Sequence, residues 1–306
     1  MNWKGVMPAV TTAFHPDFSV DFAMIARHAQ WLVENGCTGI ICLGSLGEAA
    51  TLSFHEKVDI LKTAVGAVGD KVPVVSAVSA LSTAEAVELA KAAGNAGCSG
   101  LMILPPYVYK GDWRENKAHV AAILKATRLP GMLYNNPVAY GTDFLPEQIE
   151  ELAGEFSNFA AVKESSTDIR RITAIRALVG DRLSILVGVD DAIVEGIAAG
   201  AVGWVAGLVN AFPRESVDLF NLARDGKMKE AHELYRWFLP LLRMDTVAKF
   251  IQLIKQVQQE AGVGCARVRA PRLELVGHEL QEARSAFQRA QSNRPPRAIA
   301  STPFPA

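Results

Sequence analysis

Eight short runs of nearly unbroken apolar residues, separated by longer stretches of helical period, constrain the fold of this chain more than any other feature. The runs cover 5–14, 39–44, 73–79, 100–106, 131–137, 159–166, 183–190 and 203–209. They do not alternate apolar with polar residues, as strands with one wet face would. They read instead as parallel strands covered on both faces. The segments between them, 22–35, 54–68, 83–96, 112–126, 146–154, 168–178, 190–199 and 213–224, repeat apolar residues at helical spacing. Start signals stand at Ser53 ahead of Glu56 and at Ser82 ahead of Glu85, and Gly36, Gly69, Gly97 and Gly180 mark helix ends. Eight β/α units in regular alternation predict an α/β chain folded as a closed (β/α)8 TIM barrel. A doubly wound open sheet is the alternative, but no G-x-G-x-x-G follows the first strand.

Strand signals cease after Arg224. The expected organisation is a barrel over 1–225, a helical extension packed on it over 226–291, and a proline-rich tail over 292–306. Within the extension, 227–262 reads as two helices and Pro271 to Gln291 as a third. The tail, low in apolar residues that could build a core, is expected to be loose or extended. With 31 basic and 32 acidic side chains interspersed, no broad basic face is available for nucleic acid or an anionic membrane, and a small-molecule substrate is the default. The four cysteines, Cys37, Cys42, Cys98 and Cys265, form no C-x-x-C pair and read as core residues of a reduced protein. The opening MNWKGVMPAV is too short for a secretory h-region, and no apolar stretch approaches the roughly twenty residues of a membrane span. A cytoplasmic location is expected. The six histidines are scattered, so neither a metal nor a nucleotide cofactor is implied.

In a (β/α)8 enzyme the chemistry sits where strands end and loops begin, at the carboxyl face of the sheet. At that face the sequence places LGSLGEAATLS after strand two, PPYVY after strand four, YNNPVAYG after strand five, Lys163 at the end of strand six and Gly188 at the end of strand seven. A lysine inside an apolar strand is desolvated, which favours the neutral amine, and a neutral amine attacks carbonyl carbon. Imine formation also needs a proton carried to and from oxygen. A phenol on a rigid strand can do this with a second hydroxyl behind it; Tyr134, Ser45 and Tyr107 are the candidates. A substrate carboxylate would lie against the amides of Ser45 and Leu46. Taken singly these signals are weak, because a strand-end lysine ordinarily snorkels to water and a lone tyrosine ordinarily packs. Their joint placement gives them weight. Glu48 reads as a cap or ion-pair partner, and Glu164 alternates away from the interior. Arg267, Arg269 and Arg272 read as a solvated basic cluster.

The pieces GSLGEAATLS, LPPYVY, YNNP, VKESS and VGVDD, spread over residues 44–191, resemble the dihydrodipicolinate synthase and N-acetylneuraminate lyase family of Schiff-base lyases. That resemblance extends over nearly all of residues 3–290. It implies that Lys163 forms the imine, that Tyr134 transfers protons, and that Ser45 and Tyr107 support it. It further implies a substrate-binding set of Ser45, Leu46, Gly47, Ala139, Gly188 and Val205, no cofactor beyond the covalent imine with Lys163, and a homotetramer with Tyr107 near the tight dimer interface. Two departures bear on substrate. The synthase loop carries two threonines where this chain has Ser45 and Leu46, and an arginine that grips a second carboxylate is replaced by Ala139. Loss of a charge-assisted bond of that kind is worth about 1.5–3 kcal/mol. The runs YNNPVAYGTDF and ARVRAPRLELVG look most like a branch that deaminates 1-pyrroline-4-hydroxy-2-carboxylate. The alternatives are 4-hydroxy-tetrahydrodipicolinate synthase acting on pyruvate and aspartate semialdehyde, a sugar-acid 2-oxo-3-deoxy aldolase or dehydratase, and a silent barrel that only binds an oxo acid.

Overall fold

The computed structural model of the chain describes residues 1–296 and 298–305. The apolar runs form eight parallel strands: β1 (Gly5–Pro8), β2 (Ile40–Cys42), β3 (Val74–Val78), β4 (Gly100–Ile103), β5 (Gly131–Asn135), β6 (Phe159–Glu164), β7 (Ser184–Val187) and β8 (Gly203–Ala206). From β2 to β8 each pairs with its sequence neighbour, and β1 pairs with β8. An isolated bridge between Ala9 and Ile41, with Val10 N–H donating to Ile41 O at 2.9 Å, brings the last two edges together. The result is the expected (β/α)8 barrel. The strands are shorter than the apolar runs because the remainder of each run turns onto the mouth. Residues after Pro8, for example, leave the sheet, and Thr12 donates to the carbonyl of Gly47 at 2.7 Å.

Helices α1 (Phe22–Glu34), α2 (Phe54–Val68), α3 (Thr83–Asn95), α4 (Trp113–Ala126), α5 (Pro137–Tyr140), α6 (Pro146–Glu155), α7 (Arg170–Val179), α8 (Ile193–Ala198) and α9 (Pro213–Arg224) follow the strands. Ser53 and Glu56 form both halves of a capping box at α2, as their spacing predicts. Gly36 and Gly97 take φ of +97° and +89°, the left-handed region that lets the chain leave a helix and enter the next strand. The four-residue α5 was not expected. It is set by Asn136, whose side chain accepts from Ala139 N–H at 3.0 Å, and by Pro137 in the first turn. The cysteines are free, and Cys37, Cys42 and Cys98 are buried. Among the described residues, no helix is long and apolar enough to cross a membrane.

Beyond α9 the chain forms α10 (Met228–Leu242), α11 (Phe250–Glu260) and α12 (Gly277–Ser292). The last begins at Gly277, not Pro271, because the preceding residues run extended and dock on the barrel. There the basic cluster departs from the solvated reading. The guanidinium of Arg269 donates to Glu56 at 2.6 and 3.0 Å, to Phe18 O at 2.7 Å and to Thr51 O at 3.1 Å, while Arg267 donates to Phe14 O at 3.0 Å. Loop carbonyls and a carboxylate in one place satisfy a planar fork better than scattered water does. The hydrogen bond from Arg269 holds the Glu56 carboxyl down to about 2. Described residues of the tail are docked on the barrel, not loose. Trp31 donates to Thr302 O at 2.7 Å, Ser301 donates to Glu215 at 2.8 Å, and Phe304 meets the Trp31 ring edge-on at 5.4 Å. Arg297 and Ala306, within that stretch, lie outside the described residues.

One buried ion pair ties this C-terminal part to the barrel. Lys255 on α11 lies 2.8 Å from Glu48 and also donates to Thr12 O at 2.9 Å, and both side chains of the pair are fully buried. The second Glu48 oxygen accepts from Arg269 N–H at 3.0 Å. Removing one partner of such a pair strands the other charge without water. Lys255→Met is therefore expected to lower stability by about 3–5 kcal/mol in urea unfolding, with Lys255→Met/Glu48→Leu recovering much of the loss. A neutral single substitution would show that the pair contributes nothing.

Candidate active site

The loops at the carboxyl end of the barrel enclose a cavity of about 550 Å³, into which Lys163 projects from β6. Strand alternation points Lys163 inward and its neighbour outward. Glu164 accepts from Asn135 at 3.0 Å and from Ser166 N–H at 2.6 Å, on the helix side, as expected. Lys163 is 6% exposed and is in register with Tyr134 on β5. Its Nζ stands 3.9 Å from the centre of the Tyr134 ring. Gly188 has to be a glycine, since a Cβ there would come within 2.6 Å of Lys163 Cε and collide with Ser165 Oγ. Ser165 Oγ is buried beside the lysine without a hydrogen-bond partner among the described residues.

Burial lowers the Lys163 amine to about 8, while two carboxylates, first Asp245 and then Asp190, pull it partly back up. Neither aspartate was singled out from the sequence. Asp190, just past β7, accepts from Leu208 N–H at 2.7 Å, Gly207 N–H at 3.1 Å and the Trp204 indole at 3.0 Å, and burial raises its carboxyl to about 6. Asp245 belongs to a one-turn helix, Arg243–Thr246, between α10 and α11. Its carboxyl rests over Gly207, where any Cβ would strike it, and burial together with Asp190 pushes it well above the usual carboxylate range. A single acidic residue in a segment that reads as helix gives no sequence signal for this position.

The hydroxyls are arranged differently from the expected relay. Tyr134 OH accepts from Asn136 at 2.9 Å, and burial raises the phenol to about 12. Ser45 Oγ pairs with Tyr140 OH, not with Tyr134. Tyr140, on α5, stands edge-on to the Tyr134 ring and tilted against Tyr107, with 5.7 Å between centroids in each case. Tyr107 reaches Tyr140 but does not line the cavity. Of the remaining expected binding positions, Leu46, Ala139, Gly188 and Val205 lie on the wall. Gly47 does not; it lies beneath the loop, packed against Val10 O. The N–H groups of Ser45 and Leu46 donate to no other backbone group among the described residues, leaving them free for an anion. Arg272, read from the sequence as surface, is on the cavity wall.

The model of the dihydrodipicolinate synthetase family matches residues 2–290. The chain belongs to that family. It is 28% identical to the 4-hydroxy-tetrahydrodipicolinate synthase of Desulforamulus reducens over 92% of this chain and 95% of the relative. It is 30% identical to the synthase of Methanocaldococcus jannaschii, over 89% and 93%. Among solved structures it resembles the 4-hydroxy-tetrahydrodipicolinate synthase of Methylacidiphilum fumariolicum SolV, with a TM-score of 0.91, 27% identity and coverage of 95% and 97%. It also resembles YagE, a prophage protein of the dihydrodipicolinic acid synthase family from E. coli K12 in complex with pyruvate, with a TM-score of 0.90, 25% identity and coverage of 95% and 99%. As an enzyme of this family the chain carries a lyase site, and the cavity at the barrel mouth is where its chemistry is sought.

The state of the Lys163 amine is directly measurable. Only the neutral amine reacts with 1-fluoro-2,4-dinitrobenzene, whose own reactivity does not change with pH, so arylation of Lys163 followed by mass spectrometry is expected to rise with pH around a midpoint near 8. Exposed lysines should follow a midpoint of about 10.4. A midpoint for Lys163 as high as theirs would mean that its burial does not disfavour the charge.

Proposed function

We propose that this enzyme forms an imine between Lys163 and a 2-oxo acid or cyclic imino acid, and that its substrate is 1-pyrroline-4-hydroxy-2-carboxylate. The observation that carries the imine is the desolvated amine of Lys163 lying against the Tyr134 phenol inside a cavity with an anion-ready loop. Attack of the neutral amine on C2 opens the ring, leaving the former ring nitrogen as an amine on C5. Loss of a C3 proton gives the enamine, which expels the 4-hydroxyl as water. A proton shift from C5 then turns the C5 amine into an imine, and hydrolysis of both imines releases ammonia, 2,5-dioxopentanoate and the free lysine. We assign proton transfer at the lysine nitrogen to Tyr134, whose ring centre stands 3.9 Å from the amine, while Ser45, Tyr140 and Tyr107 form the adjoining hydroxyl and ring cluster.

The choice of substrate rests on the far wall. Ala139 offers no guanidinium at its own position, although Arg272 lies on the same cavity wall, and the carboxyl of Asp245 offers a partner to a hydroxyl or an amine. A substrate whose far end carries a hydroxyl and, once opened, an amine suits that wall better. The names of the relatives favour a second reading, condensation of pyruvate with aspartate semialdehyde through the same lysine. Ammonia release separates the two. Turnover of the pyrroline no faster than condensation of pyruvate with the semialdehyde would favour the synthase. Borohydride trapping with pyruvate should vanish in Lys163→Ala, and Tyr134→Phe should lower turnover about 10²–10⁴-fold. Trapping that persists at another lysine would remove both readings.

The same reading includes a homotetramer built as a dimer of dimers. Supporting it, Tyr107 lies off its own cavity wall, and the next residues, Val108 and Tyr109, are 78% and 55% exposed. Apolar side chains bared on one loop mark a contact surface. Light scattering should give a mass about four times the 33.0 kDa chain. A monomer in solution would remove this part of the proposal.

A further inference from the structure

The β/α repeat supplies the lysine, the phenol and the anion loop, but part of the cavity wall comes from outside it. Asp245, on the one-turn helix between α10 and α11, shares the cavity with Lys163. No hydrogen bond holds its carboxyl among the described residues, in contrast to Asp190, whose oxygens are taken up by two backbone amides and an indole. Gly207 clears the space in which that carboxyl sits. The charged groups acting on it are Asp190, Lys163 and Asp191; burial and the two aspartates favour the protonated acid, and Lys163 opposes them. Ala139, Val247 and Arg272 line the same cavity as Asp245, and a substrate with its carboxylate on the Ser45 and Leu46 amides and C2 on Lys163 has its remaining carbons to place within that cavity.

We propose that Asp245 is the catalytic acid that protonates the departing 4-hydroxyl; this rests on the deaminase reading above. In the step, the enamine nitrogen pushes its electron pair to re-form the C2–N double bond. The C2–C3 π pair moves to C3–C4, the C4–O bond breaks, and the leaving oxygen takes the carboxyl proton of Asp245 and departs as water. Asp245 is left as a carboxylate and regains a proton from solvent at the open mouth before the next turnover. No oxidant or reductant takes part.

The test uses the whole chain with Asp245→Asn, which keeps the shape of the side chain but has no acidic proton. Imine trapping with pyruvate and borohydride serves as the check that the fold and Lys163 are intact, and Asp245→Ser provides a second variant of smaller size. Both variants should still trap pyruvate at Lys163 and release ammonia from the 4-hydroxy pyrroline about 100-fold more slowly or worse, as loss of a general acid predicts. The 4-fluoro analogue sheds fluoride without needing a proton. Fluoride release by Asp245→Asn should therefore stay within about threefold of the unaltered enzyme. Equal slowing of both leaving groups would make Asp245 a shaping residue only, and undiminished ammonia release would place the acid elsewhere; either result overturns the proposal. Absence of ammonia release by the unaltered enzyme would instead bring down the deaminase reading, and this role with it.

Discussion

A primary amine taken out of water at the end of one strand is the interaction around which the mouth of this barrel is organised. Sheet closure puts Lys163 in the interior and not on the helix side. The parallel register with β5 then sets Tyr134 against it, and Gly188 leaves room for its methylene chain. Burial disfavours the ammonium, yet Asp245 and Asp190 stand close enough to oppose that effect. The balance leaves an amine that is part neutral and part charged near neutral pH.

Holding those parts in place requires a second buried charge pair with a different role. Glu48 takes a left-handed backbone, φ +56°, at the end of the Ser45–Gly47 turn, a conformation that a residue with a side chain resists. Lys255 and the Arg269 amide engage its two oxygens and fix that turn. Burying such a pair is weak evidence for stability, since desolvating two ions offsets much of their attraction. Its clearer effect is positional: it sets the height of the loop whose amides face the cavity.

How much of this was legible in the sequence depended on how local each signal is. Strand runs and helix caps are determined within a few residues, so the barrel and the inward-facing Lys163 could be read directly. Glu48 was read as a cap or ion-pair partner, but its partner Lys255 lies 207 residues away, beyond the reach of any spacing rule. Tyr140 stands on a helix a single turn long, too short to leave a periodic signal, and it takes the Ser45 contact that the expected relay gives to Tyr134. Arg269 and Arg272 sit in an irregular stretch where basic residues ordinarily face solvent. Only the docking of that stretch on the barrel reveals the acceptors waiting for the first and the cavity beside the second. Asp245 carried no motif at all.

The wall that includes Asp245 and Arg272 comes from residues 243–272, which lie outside the eightfold repeat and are fastened to it through Lys255 and Arg269. Scaffold and selectivity are thereby divided between two parts of one polypeptide. New reactants can be sought by grafting or randomising that roof while the strand that carries Lys163 is left untouched, a separation that a chamber built wholly from strand ends would not offer.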